Sequence, residues 1–374
     1  MKLIRVTTVP LSLNKLLIGQ LKMLDEHYEV IAVSSPGRDL DEVAERECVR
    51  TIELPMERHI APLRDIVSLF KLIYLFQKEK PDIVHSLTPK AGLLSMMASW
   101  ICGVPVRIHT FTGLVFPSAT GWKRKLLMMT DRVICRCATY INPEGQGVKR
   151  DLEMNSITKK PLHIIANGNV NGIDLNYYDR TDEVLKAAYS YMDKEKFTFC
   201  FVGRMVHDKG INELVSTFNK LYNRQKDVRL ILVGSFEDEL DPVLPETKEM
   251  ILHHPGICFM DWQDDIRPFL AASDAFVFPS YREGFPNVVL QAGAMGLPCI
   301  VTDINGCNEI IVEGKNGTII PAKDVAKLYD TMLNWYQQRE NVLTLSRNAR
   351  QMIAERYEQK LLWTALLDVY KSLE

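Results

Sequence analysis

The sequence predicts an α/β protein made of two doubly wound parallel-sheet, Rossmann-like units with an interdomain cleft. Three observations carry this. Short apolar runs alternate with amphipathic stretches twice over, in residues 3–166 and again from 197 onward. A chain of 374 residues exceeds the ~250–300 at which a single core stops growing. Between the two series lies NGNVNGID, residues 167–174, whose Asn and Gly tolerate positive φ and mark a boundary.

Taken in order, residues 3–9 and 29–34 read as strands, and Leu16, Leu17, Leu21 and Leu24 between them keep helical spacing. Such a βαβ unit implies parallel pairing through a right-handed crossover. Further strands are expected at 82–85, 104–109 and 140–143, with a last short one at 163–166. Helices are expected at 91–102 and 145–153. The longest apolar stretch, 91–104, is broken by serines and falls short of the ~18–20 residues a spanning helix needs, so a buried helix is expected. The second series has strand candidates at 197–202, 229–233, 257–260, 275–278, 299–302 and 317–320. Its clearest helices are 213–222 and 324–335, and 341–373 is helical with no strand after it. The units are expected at 1–172 and 173–355. Ligands of such sheets bind off the carboxyl ends of the strands, so the cleft is the expected site.

Composition narrows the class. Hydrophobic content of 47% and charged content of 25% are ordinary for a soluble globular protein. A net charge of −2 argues against a general nucleic-acid binder. The 8 cysteines are scattered without a CxxC, which points to a reducing, cytoplasmic compartment. The apolar run in MKLIRVTTVP is too short for a signal peptide. Asp39 and Asp41 have DxD spacing that could suit manganese, but SPGRDLDEVAER reads as a loop entering a helix, where carboxylates cap free amides. No His/Asp/Glu cluster has transition-metal spacing, so no metal is expected. GxSxG and Walker A runs are absent. The first βα turn, VTTVPLSLNK, lacks GxGxxG, which argues against a dinucleotide oxidoreductase.

The chemistry centres on FVFPSYREGFPNVVLQAGAMG, residues 276–296. A buried strand ends at Pro279 and Ser280, and Pro286 suits the first position of a helix. The amides around Gly284, Phe285, Asn287 and Val288 then form a helix N-terminus at a strand's carboxyl end, a ready anion site. Glu283 stands beside it as an acceptor for hydroxyls. This pairing suits a ligand that is part phosphate and part sugar. In VGRMVHDKG, Gly203-Arg204 follows a strand and Lys209-Gly210 opens a helix. A guanidinium and an ammonium there can grip two phosphates; the bland reading is a solvated loop.

In the first half, Lys90 ends HSLTPK at a carboxyl edge, and Arg58 and His59 are further candidates for the same cleft. His109 and Thr112 lie in RIHTFTG; a lone His there is more often a hydrogen-bonded structural residue than a base. Asp261 and Trp262 are candidate contacts for a base. GWKRKLLMM, residues 121–129, sets Trp122, Lys123, Arg124 and Lys125 beside apolar residues. It is either an interfacial membrane contact or a solvated patch on a core helix.

These pieces together resemble the retaining glycosyltransferases of family 4, with the GT-B fold. The resemblance rests on Gly203-Arg204 with Lys209-Gly210, Asn171-Gly172-Ile173-Asp174, Asp274, Pro279-Ser280 and Glu283-Gly284-Phe285-Pro286. Gly306, Glu309 and Gly317 add to it. It covers nearly all of the second half. HSLTPKAGLL and RIHTFTG look like the subgroup that builds bacterial capsule, O-antigen and related surface glycans.

The resemblance implies roles. Arg204 and Lys209 would hold a nucleotide-sugar diphosphate and stabilise it as it leaves. Glu283 would bind donor-sugar hydroxyls, and the amides from Gly284 to Val288 would bind phosphate. Lys90, with Arg58, would contact a lipid diphosphate on the acceptor. Residues 356–374 would cross back to the first domain. The leaving phosphate would help take the acceptor's proton, so no conventional protein base is required. Two departures stand out. The second glutamate of the family's E-x7-E pattern is Gln291 here, and the His usual before a first-domain Gly is replaced by Thr112, before Gly113.

The leading reading is therefore a metal-independent hexosyl- or N-acetylhexosaminyl-transferase. It would use a UDP-sugar and a lipid-linked glycan acceptor, in the cytoplasm or peripheral on the inner membrane. The alternative is a catalytically weak nucleotide-sugar-binding subunit of an assembly complex, motivated by Gln291 and Thr112. A GT-B epimerase would need an acid/base pair that the sequence does not offer.

Overall fold

The computed structural model describes residues 1–59, 61–239 and 241–374. The chain divides into two compact units, Met1–Gly172 with Lys360–Glu374, and Ile173–Gln359. The first contains β1 (Lys2–Val6), α1 (Pro10–Leu16), α2 (Gln20–Asp25), β2 (Glu29–Ser34), α3 (Arg38–Glu47), β3 (Arg50–Glu53), α4 (Pro62–Glu79), β4 (Ile83–Ser86), α5 (Pro89–Ile101), β5 (Val106–Phe111), α6 (Gly121–Cys137), β6 (Tyr140–Pro143) and α7 (Gln146–Met154). The second contains α8 (Asp182–Ala188), β7 (Phe197–Val202), α9 (Ile211–Arg224), β8 (Val228–Val233), α10 (Pro245–His253), β9 (Ile257–Met260), α11 (Arg267–Ala271), β10 (Ala275–Phe278), α12 (Asn287–Ala294), β11 (Cys299–Thr302), α13 (Cys307–Ile310), β12 (Gly317–Ile320), α14 (Val325–Gln337) and α15 (Arg339–Tyr357). The last helix, α16 (Gln359–Leu373), lies within the first unit from Lys360 onward.

Each unit holds one six-stranded sheet, in the orders β3-β2-β1-β4-β5-β6 and β12-β11-β10-β7-β8-β9, with every pair parallel. Strands covered on both faces by helices read as unbroken apolar runs, and β7, FTFCFV, is buried at all six positions. In both orders the chain reverses direction across the sheet beside its first strand. The switch points therefore fall between β1 and β4, and between β7 and β10, where loops diverge and leave a crevice.

In the first unit α16 is anchored through Tyr370, which is fully buried. Its hydroxyl accepts from Arg5 Nη1 at 2.6 Å and lies 2.6 Å from His85 Nδ1. Trp363 Nε1 donates to Asn171 Oδ1 at 2.8 Å.

Several expectations need correction. Residues 163–166 form no strand; His163 N donates to Ile141 O at 3.0 Å, and one bond to the edge strand does not make a ladder. The edge strand β3 and the long helix α4 add to the expected elements. Asp39 and Asp41 do lie in the first turn of α3, but no side chain caps it. Asp39 Oδ1 instead accepts from Asn14 Nδ2 at 2.6 Å. Pro286 is the N-cap of α12 rather than its first residue. The helical end is two helices, divided at Glu358.

Candidate active site

At the switch point of the second sheet two loops are stitched together. After β7 the chain passes Gly203 and Arg204, makes a 3-10 turn over His207–Lys209, and enters α9 through Gly210. After β10 it passes Pro279, Ser280 and residues 281–285 to the N-cap of α12. Tyr281 N donates to Asp208 O at 2.8 Å, and Arg282 pairs with Asp208 at 2.8 Å. Gly210 sits at φ +70 and so close to Pro279 that a Cβ would overlap its carbonyl oxygen. Only glycine permits both the left-handed turn and this approach.

Within this junction Lys209 Nζ is ion-paired with Glu283 Oε1, and each side chain is 15% exposed. Ser280, fully buried, donates from Oγ to the same Glu283 oxygen at 2.8 Å. The Lys209 ammonium also lies 5.4 Å from the centre of the Phe278 ring. Gly284, Phe285 and Pro286 carry the chain into α12. Phe285 is buried with its ring edge-on to Tyr357, centres 5.5 Å apart. Gly306, φ +75, presses on this turn: a Cβ there would stand 2.6–2.7 Å from Gly284 O, Phe285 Cα and Pro286 Cδ. Asn287 and Val288 open α12 at this junction, so the positive end of the helix dipole lies beside a cation and a carboxylate. Gln291 lies a turn further along, partly exposed.

Arg204 reaches the same edge but pairs with Glu237 on the loop after β8, and its side chain is 48% exposed. Asp261 and Trp262 follow β9. Asp261 Oδ1 accepts from Ser235 Oγ at 2.6 Å and from Trp262 N at 2.7 Å, and these bonds hold its carboxyl below the usual range. The Trp262 side chain is exposed. The structure thus gathers Gly203, Arg204, Lys209, Glu283 and the start of α12 at the carboxyl ends of two neighbouring strands. Asp261 and Trp262 lie further along that edge. The expectation lacked Glu237, and it named Ser280 only as part of a motif. Nothing local in the sequence signals the Glu237 pairing, because it joins two loops 33 residues apart.

The first unit treats its candidates differently. At its switch point Thr8 and Thr88 hydroxyls are 2.9 Å apart, and Ala91 N donates to Thr8 Oγ1 at 3.0 Å. Lys90 donates to both Asp65 oxygens, at 2.7 and 2.8 Å, and to His59 O. Arg58 is exposed, and Thr112 directly follows β5. His109 is buried, with Nδ1 2.8 Å from Ser86 Oγ and its ring so close to Gly92 that a Cβ there would overlap it. Burial pushes its pKa down to about 3. A neutral, sealed imidazole is a packing and hydrogen-bonding element. Among the described residues no three His, Cys, Asp or Glu side chains cluster as a metal site would need.

A pair of Rossmann-like units, one presenting cations, a carboxylate and helix-end amides at its switch point, defines a GT-B group transferase. The family model for glycosyl transferases group 1 matches residues 196–338, and that for the glycosyl transferase 4-like domain matches 19–168. The chain belongs to this glycosyltransferase family, and it is a glycosyltransferase. It is 31% identical over 377 residues to the capsular polysaccharide biosynthesis glycosyltransferase CapM of Staphylococcus aureus, covering 99% of this chain and 97% of that one. It is 28% identical over 349 residues to the UDP-Gal:alpha-D-GlcNAc-diphosphoundecaprenol alpha-1,3-galactosyltransferase of Escherichia coli, covering 89% and 87%. Its fold matches the Anabaena Alr3699/HepE crystal structure in complex with UDP, at TM-score 0.83 and 17% identity, over 100% of both chains.

Proposed function

We propose that the chain transfers a sugar, with retention, from a UDP-sugar to a lipid-linked glycan acceptor in bacterial surface polysaccharide synthesis. The observation that carries this reading is the Lys209–Glu283 pair beside the start of α12, at the switch point of the second sheet. Lys209, Arg204 and the amides from Gly284 to Val288 bind the diphosphate. Glu283, steadied by Ser280, accepts hydroxyls of the donor sugar. Asp261 and Trp262 face the base, and Gln291 the ribose. As the bond from the anomeric carbon to the diphosphate breaks, negative charge grows on the departing oxygens. Fixed cations and amides stabilise that charge more in the transition state than in the ground state. The acceptor oxygen bonds the anomeric carbon on the same face, and its proton passes to the departing diphosphate.

Two cations and the helix-end amides supply the charge stabilisation that a divalent ion would give, so the reaction needs no metal. Lys90 and Arg58 in the first unit serve the acceptor's diphosphate, and Thr112 lies on the acceptor side. His109 acts there by packing. The donor and acceptor in the name of the Escherichia coli relative, and the UDP complex of HepE, support the choice of a UDP-sugar donor and a lipid-linked acceptor. The enzyme works in the cytoplasm, against the inner membrane that holds its acceptor.

The test is transfer from UDP-sugars to a lipid-diphosphate acceptor, with and without chelator, and NMR of the new linkage. Retained anomeric configuration and unchanged activity in chelator are expected. Inversion, or activity abolished by chelator and restored by a divalent ion, would overturn the reading.

A further inference from the structure

Helix α4 is apolar on two sides. Its inner side buries Leu72, Leu75 and Phe76 in the core of the first unit. Its outer side presents Leu63, Ile66, Val67, Phe70 and Tyr74, all exposed, with Leu63 at 82%, Phe70 at 65% and Tyr74 at 69%. Spacings of three, four and seven residues place these five on one stripe. Arg64, Lys71 and Lys78, seven apart, form a row along one flank of it. Arg64 pairs with Glu57, while Lys71 and Lys78 are exposed. The helix's own acids are turned inward: Asp65 holds Lys90, and Glu79 holds Lys2 and Arg50. Helix α5 packs beside α4 through Cys102 Sγ and Ile73 O, and it ends in exposed Trp100 and Ile101.

Soluble monomers rarely expose a contiguous apolar patch of this kind unless something covers it. We infer that the outer stripe of α4 is a docking surface for an anionic lipid membrane, with α4 lying in the headgroup plane. Aromatic and aliphatic side chains bordered by Lys and Arg are what such a surface binds. Among the described residues no helix is long and apolar enough to cross a membrane, so α4 would lie on the bilayer rather than span it. A second copy of this chain fits less well. An antiparallel two-fold pair built on the stripe would set the basic row of one copy against that of the other. The inference deepens the reading of a lipid-linked acceptor and rests on it. It adds α4 to the membrane contact expected at residues 121–129, where Trp122, Lys123, Lys125 and Met129 are exposed too.

The test is flotation of the full chain with phosphatidylcholine vesicles, with and without phosphatidylglycerol. The vesicles contain no acceptor, so flotation is read independently of transfer. Wild type should float with the anionic vesicles. Phe70→Ser with Tyr74→Ser, and separately Lys71→Glu with Lys78→Glu, should each weaken partitioning roughly tenfold or more. UDP affinity in solution should be unchanged in both, which shows them folded and keeps this surface distinct from the donor site. Absence of flotation, equal flotation of variants and wild type, or a wild-type dimer dissolved by Phe70→Ser would overturn the inference.

Discussion

Lys209 Nζ and Glu283 Oε1 are ion-paired across the switch point of the second sheet, and Ser280 Oγ donates to the same carboxylate oxygen. The two groups proposed to meet different parts of the donor, phosphate and sugar, thus neutralise one another before it arrives. A diphosphate would compete with Glu283 for the ammonium and leave the carboxylate to hydroxyls.

That competition predicts opposite effects from the two partners. Glu283→Gln frees Lys209, so UDP should bind roughly two- to fivefold tighter by calorimetry, through reduced local negative charge. Transfer should nonetheless fall at least about a hundredfold. Weaker UDP binding in Glu283→Gln would show that the carboxylate supports the phosphate site rather than opposing it.

The junction of the two loops depends on Gly210. Gly210→Ala combines a left-handed backbone with overlap on the Pro279 carbonyl, and should cost about 2–4 kcal/mol in urea unfolding. Gly296, φ +80, has nothing within 4 Å of its added Cβ. Gly296→Ala should therefore cost only about 1 kcal/mol, the left-handed penalty alone. Equal losses in the two would remove close approach as the reason for Gly210.

Asp131, buried in α6, has its carboxyl pushed up to about 7 by burial. The folded chain holds this proton more tightly than the unfolded one. Its contribution to stability is thus fully present below about pH 4 and is lost as pH rises towards about 7. Asp131→Asn does not titrate, so its advantage over wild type should widen by about 1–3 kcal/mol between about pH 5 and about pH 8. Melting curves in which the difference is flat or narrows with pH would contradict this.

Much of the second unit was legible because its strands are buried on both faces and stand out as apolar runs, as at FTFCFV and AFVF. The first unit hid more. RTIE in β3 is a half-exposed edge strand with little hydrophobic signal. Helix α4 carries apolar residues inside and outside, which blurs the one-sided period that marks a surface helix. Residues 163–166 are apolar enough for a strand but lie beyond the edge strand β6 without a ladder. In the site, residue types near glycine and proline turns pointed to Lys209, Glu283 and the start of α12. The partners of Arg204 and Lys90, Glu237 and Asp65, come from tertiary placement, which spacing along the chain does not encode.

The central claim is that cations and helix-end amides at the β7–β10 switch point hold the donor diphosphate. The most direct measurement is calorimetric titration of UDP into wild type and into the Arg204→Ala, Lys209→Ala double variant. Loss of two charge-assisted contacts should weaken binding at least about a hundredfold, with the melting temperature of the unliganded variant little changed. UDP affinity within about twofold of wild type would contradict the account.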